Sequence, residues 1–202
     1  MLEILTGAGL ATSAGLNAFI PMLALGLLDR YTTLVDLPPA WSWLSSDVSL
    51  WILGVLLVVE VIADKIPAVD TVNDAIQTVI RPAAGGITFA SGIGTETTTV
   101  TDPDQMMSGN AWVPIAIGVA IALVVHLMKA GTRAGANTVT VGAAAPVLST
   151  AEDASAVLLS LAALFLPIVV AVLIVLLVVG LLLLARRVRR GRGGRQAARG
   201  AY

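Results

Sequence analysis

Four carboxylates and a lysine fall within fifteen residues of a chain that is otherwise poor in charge, in the stretch EVIADKIPAVDTVND from Glu60 to Asp74. Glu60 and Asp64 stand four residues apart, as do Asp70 and Asp74, so on a helix each pair shares one face about one turn apart. Three chemistries suit such a cluster. Hard carboxylate oxygens, with Glu60 and Asp64 as ligands, suit a hydrated divalent cation such as Mg²⁺ or Ca²⁺. A buried Glu60 suits a proton carrier, because loss of water favours its neutral form. Lys65 and Arg81 could instead close salt bridges that only fix the bend expected at Pro67. Asp70 and Asp74 sit where exposed ion pairs are ordinary. Glu60, which follows the apolar run WILGVLLVV, is the more demanding case: an idle charge about 9 Å inside a membrane boundary is expensive, at roughly 2.5 to 3.5 kcal/mol on insertion scales. Glu60 is therefore the first candidate and Asp64 the second.

Other polar residues lie in apolar surroundings. Asn17 and Asn137 suit hydrogen bonds between helices, with a cavity-lining role as the alternative. His126, the only histidine, suits packing or a proton relay with Glu60, since no second histidine offers a metal site. In RPAAGG, Pro82 is expected to stop a helix, and Gly85 and Gly86 to allow close backbone approach or positive φ. The following ITFASG would then open a short helix whose free amides face an anion. There is no cysteine, hence no thiolate chemistry. Without a Ser, His and Asp constellation or a histidine cluster, an enzyme is the weaker reading. A carboxylate pair holding Mg²⁺ against a lipid phosphate is its one opening.

The elements that must position these residues are membrane helices. Of 202 residues 57% are hydrophobic and 12% charged, and Ala154 to Ala185 carries no charge over more than the roughly 20 residues that cross a bilayer. The expected architecture is all-α, a polytopic transmembrane bundle of about six segments, some of them short or broken. These are Gly9–Leu28, Leu50–Ile66, Ala83–Ile93, Ala111–Met128, Ala134–Leu148 and Ala154–Ala185. The third follows an amphipathic stretch suited to an interface and is a half-helix, a re-entrant loop or the far end of a helix beginning near Thr71. The start, MLEILTG, lacks the basic region of a signal peptide.

Five basic residues stand against thirteen acids before Arg186, a net of −8, while seven of the twelve Lys and Arg lie in the final stretch. The chain thus divides into a membrane domain, residues 1–185, and a basic disordered tail, residues 186–202. The tail is expected to contact anionic lipid headgroups, and no folded module accompanies it that would make it a nucleic-acid binder. Basic residues favour the cytoplasmic side. That rule places Lys65, Arg81, Lys129, Arg133 and both termini inside, with the loops Tyr31 to Ser49 and Thr95 to Asn110 outside. Arg30 is the exception, with Asp29 beside it as a partner. Trp41, Trp43, Trp51 and Trp112 suit an aromatic belt.

AGLNAFIP at Ala14 and AGANTVTV at Ala134 share A-G-x-N, which leaves an internal duplication of the transporter type open. Small-residue packing leaves a homo-oligomer open. AGLNAFIPMLALGL followed by EVIADKIPAVDTVNDAIQTVIRPAAGG resembles a family of bacterial membrane proteins catalogued as domain of unknown function 4126, from about Leu5 to Leu182. The resemblance implies a multi-pass protein of the bacterial inner membrane with the acidic segment as signature and supplies no activity, and the residues leave a divalent cation as the one candidate cofactor. Two functions follow from the residues. The first is a small transporter or channel whose Glu60, Asp64, Asp70 and Asp74 handle a cation or proton, supported by Lys65 and Arg81. The second is a non-transporting scaffold or accessory subunit that docks a partner or lipid.

Overall fold

The computed structural model describes residues 1–97, 112–173 and 175–176, apart from the side chains of Pro67, Ala68, Asp70, Thr71 and Asn137. The Asp70, Asn137 and Pro67 side chains, most of the Thr95 to Asn110 loop and the basic tail lie outside the described residues. The protein is mostly helical, as expected. Its elements are α1 (Leu2–Leu16), α2 (Phe19–Tyr31), β1 (Val35–Asp36), a 3₁₀ helix (Pro39–Ser45), α3 (Asp47–Ala63), α4 (Pro67–Ile93), β2 (Glu96–Thr97), α5 (Trp112–Thr140) and α6 (Ala145–Phe165). A further helix begins at Pro167. By length and composition α5 and α6 can each cross a membrane, and the bent pair of the 3₁₀ helix and α3 makes a third candidate.

The segments are cut differently from the apolar runs. The first run breaks at Asn17, where an extended residue (φ −145°, ψ 122°) separates α1 from α2. The third run and the amphipathic stretch before it form one 27-residue helix, α4, beginning at Pro67. Pro82 lies inside that helix and does not end it. Proline costs the helix its bond to the Thr78 carbonyl, but the turns on its C-terminal side are held by packing: a Cβ on Gly85 would stand 2.3 Å from Ala122 Cβ and 2.7 Å from Gly118 O. Gly85 and Gly86 thus give α4 close approach to α5. Neither has positive φ, which among the described glycines occurs at Gly142. ITFASG is helix interior, so its amides are not the free N-terminal amides expected.

The fifth run is no separate segment. Its first half completes α5 and its second half opens α6, across a turn in which Val141 (φ 52°) and Gly142 (φ 85°) reverse the chain. The sixth run is interrupted at Leu166 before the buried Pro167. The two A-G-x-N patterns sit in unlike places: Asn17 at a helix break, Asn137 within the continuous α5.

α1 forms the middle of the bundle. Thr6, Gly7, Gly9, Ala11, Ser13, Ala14 and Gly15 are buried in it, and their small size lets α4, α5 and α6 close around it. Gly7 meets Phe89 and Ile93 of α4, Gly9 meets Ala163 of α6, and Gly15 meets Val125 of α5. α1 therefore runs antiparallel to both α4 and α6, since Ser13 also donates to the Ala156 carbonyl (2.8 Å) and Asn17 reaches Asp153.

After the break the chain returns. Gly26 of α2 packs on Leu44 and Leu50, and Pro38 packs on Gly94 just past the end of α4, whose last turns lie on Gly7. The short antiparallel ladder Val35↔Thr97, Asp36↔Glu96 closes the same end. The first turn of α1 and the Tyr31 to Ser49 loop are consequently at one end of the bundle. That corrects the expectation of opposite sides, which treated Gly9–Leu28 as one crossing helix. Trp41 and Trp43 lie in the 3₁₀ helix, Trp51 in the early part of α3 and Trp112 at the start of α5, all at this same end, and Trp43, Trp51 and Trp112 are exposed.

Candidate functional site

The break at Asn17 leaves two helix ends inside the bundle. With 15 residues at 1.5 Å rise, α1 brings them about 22 Å from its start, to a point where Asn17 is fully buried. Each end must be satisfied there. Asn17 Oδ1 accepts from the amides of Phe19 (3.1 Å) and Ile20 (3.2 Å), capping the first turn of α2. Asn17 Nδ2 donates to Asp153 Oδ1 at 3.0 Å. The carbonyl of Leu16 accepts from Lys129 Nζ at 2.8 Å, which puts a cation on the negative end of α1.

Lys129 leads into a network drawn from α3, α4, α5 and α6. Its centre is Asp64, at the end of α3 and 1% exposed. Asp64 Oδ2 meets Lys129 Nζ at 3.1 Å, Arg133 Nη2 at 3.0 Å and Arg81 Nη2 at 3.4 Å, and Oδ1 accepts from Asn73 Nδ2 at 2.7 Å. Glu152 of α6 closes the far side. It accepts from Arg133 Nε (2.9 Å to Oε2) and Arg133 Nη2, and stands 3.2 Å from Lys129 Nζ. Glu60, one turn before Asp64, accepts at Oε1 from Arg81 Nη2 (2.8 Å) and Nε (3.2 Å), while Oε2 is buried with no hydrogen-bond partner. Among the described residues, the buried Glu60 and Asp64 and the partly buried Glu152 thus face Arg81, Lys129 and Arg133.

Arg81 also joins His126. Its Nη1 lies 3.1 Å from His126 Nδ1, and a guanidinium only donates, so Nδ1 accepts and the proton sits on Nε2. Nε2 then donates to Thr78 Oγ1 at 3.0 Å, and Thr78 donates to the Asp74 carbonyl at 2.9 Å. The Asp74 carboxylate lies 3.8 Å from Arg81 Nη1, beyond hydrogen-bond distance.

Glu60, Asp64, Asp74, Arg81 and Asn17 therefore come together, as does Lys65 at the margin. Its ammonium reaches Asp153 at 3.6 Å and the Val61 carbonyl at 3.2 Å, and among the described side chains does not pair with Glu60, Asp64 or Asp74. The hub is Asp64, ahead of Glu60. Lys129 and Arg133 belong to the network and do not mark a loop, because both are buried. Glu152, Asp153, Asn73, Lys129 and Arg133 were not anticipated as site residues. The available signal was spacing: His126, Lys129 and Arg133 share a helical face, and Lys129 and Arg133 repeat the four-residue step of Glu60 and Asp64. Arg30, at the other end, pairs with Asp47 (2.6 Å), while the expected partner Asp29 accepts from the Leu37 amide (2.8 Å).

The donor set does not suit a divalent metal. Among the described residues no group of three or more His, Asp or Glu side chains is placed to hold one, and the oxygens of Asp64 are taken by Asn73 and three cations.

No curated protein and no solved structure matches this chain. A family model described as domain of unknown function DUF4126 matches residues 4–187, which include every member of the network. The chain is thus a member of the DUF4126 family.

Proposed function

We propose that the protein is a small multi-pass membrane transporter in which the network around Asp64 handles a proton or small cation. The observation that carries this reading is the placement of a broken helix, with one end capped by Asn17 and the other by Lys129, directly against that network. Transporters commonly bind their ions where interrupted helices meet inside the bilayer, because unwound ends supply oriented dipoles there. Energetics favour a working network over a decorative one. Replacing a buried ion cluster by packed apolar side chains is often neutral or stabilising by about 1 to 4 kcal/mol, so stability alone gives little reason to keep one.

In this reading α3 to α6 all cross, α4 included, because its polar face turns onto the network and its exposed side carries Val72, Ile76 and Val79. The α1–α2 pair enters and leaves on one side. Lys65 and the arginine-rich tail face the cytoplasm, and the α1 end faces outward. The membrane is the bacterial inner membrane. The tail holds anionic lipid at about 1 kcal/mol per basic residue.

A second reading, a non-transporting scaffold, is favoured by one observation: Glu60, Asp64 and Glu152 each already have a cation. The two separate in an electrical assay. Reconstituted protein on a solid-supported membrane, given jumps of H⁺, Na⁺, K⁺, Mg²⁺ or Ca²⁺ one at a time, should give a transient current with at least one of them. Silence towards all five would remove the transporter reading.

A further inference from the structure

An ionised carboxylate facing a guanidinium ordinarily uses both oxygens, one for each parallel N–H. Glu60 does not. Both Arg81 Nε and Nη2 converge on Oε1, at 3.2 and 2.8 Å, and Oε2 is left buried and unpartnered in a residue 1% exposed. Burial without a donor at Oε2 disfavours the ionised form there, and protonation at that oxygen relieves the cost. Resting on the transporter reading, we propose that Glu60 Oε2 is the proton-binding atom of the network and that a proton, not a metal cation, is the ion it handles.

The surrounding charges suit that role. Arg81 of α4, Lys129 of α5 and Asp64 at the end of its own helix act on Glu60, with Asp74 and His126 against Arg81 and with Arg133 and Glu152 beyond Asp64. From α2 the only charged groups are Asp29 and Arg30, at the opposite end of that helix. When a hydronium ion delivers its proton, an O–H bond forms at Oε2, a water molecule is released, and the network gains one positive charge. Oε1 still accepts from Arg81, so the pair need not separate. Arg81 is then held chiefly by Asp64, at 3.4 Å, and attracted by Asp74, at 3.8 Å. That redistributes Asp64 among Arg81, Lys129 and Arg133, and Lys129 carries the change to the broken end of α1. Loss of the proton to water reverses each step. Divalent metals are poor candidates, since Asp64 has no free oxygen to offer.

The test is infrared difference spectroscopy of the full-length protein in lipid nanodiscs during pH titration. A carbonyl-stretch band of a protonated carboxylic acid should appear and vanish with pH, shift when glutamate carries a ¹³C carboxyl label, and be lost in Glu60→Gln but kept in Asp74→Asn. No titrating band, one that ignores the glutamate label, or one that survives Glu60→Gln would overturn the proposal. If Glu60→Gln does not fold, the label on the unmodified chain, with Glu152→Gln as the control for the other buried glutamate, decides alone. A Glu60 band without ion-driven current would sink the transporter reading and leave the proton site standing. Current without the band would do the reverse.

Discussion

Lys129 and Leu16 bind across the bundle: the ammonium of the one donates to the main-chain carbonyl of the other at 2.8 Å. This bond joins the end of a broken helix to a cluster of buried charges, since the same ammonium touches Asp64 and Glu152. Lys129→Met removes all three interactions, leaving Asp64 with Arg81 and Arg133 and Glu152 with Arg133. Loss of one partner from a buried pair costs about 3 to 5 kcal/mol. A clear drop in the unfolding midpoint is expected in nanodiscs, and a midpoint unchanged from wild type would contradict the placement of Lys129.

Glu60 and Arg81 form a fully buried pair at 2.8 Å. Glu60→Gln and Arg81→Gln should each destabilise the protein. The double variant should be less destabilised than the two changes added, because each single change strands a charge the other would remove. A coupling of about 0.5 to 3 kcal/mol is the range for side chains in contact. Additive effects would show that the two do not interact.

Asn17 caps α2 from inside the bundle. Asn17→Ala loses two amide bonds and the contact to Asp153, and cap loss alone costs about 0.5 to 2 kcal/mol. Asn17→Asp keeps the cap oxygen yet places a carboxylate beside Asp153. Chemical denaturation should therefore find both variants less stable than wild type, and equal stability for either would count against a capped break.

Two glycines give a packing control. Gly85→Ala drives a methyl group into Ala122 and the Gly118 carbonyl, and overpacking typically costs about 1 to 3 kcal/mol. Gly131 of α5 has nothing within 4 Å of its would-be Cβ, so Gly131→Ala should be neutral or stabilise by up to about 1 kcal/mol through helix propensity. Thermal unfolding of the pair should give shifts of opposite sign or plainly different size.

Much of this arrangement was legible in the sequence, and the failures have identifiable causes. α3, Glu60 and Asp64 could be placed because an apolar run and a four-residue step give a helix with both acids on one face. Pro82 misled because local chemistry says a helix should stop there, while Gly85 and Gly118 supply tertiary packing that no local rule contains. The α1–α2 return was hidden because Gly9–Leu28 has the length of one crossing helix, and only Asn17 hinted at a break. Arg133 and Glu152 escaped notice because they are far apart in sequence. Read as loop charge, Arg133 gave no sign that α6 would bring a carboxylate to it.

The central claim is that the Asp64 network moves charge and does more than hold helices together. The direct measurement is the ion-driven current of the Glu60→Gln, Arg81→Gln double variant, which is charge-balanced and expected to fold, against wild type at equal reconstitution. A current in wild type and its loss in the folded double variant are expected. A wild-type current retained in the double variant, or no wild-type current at all, would contradict it.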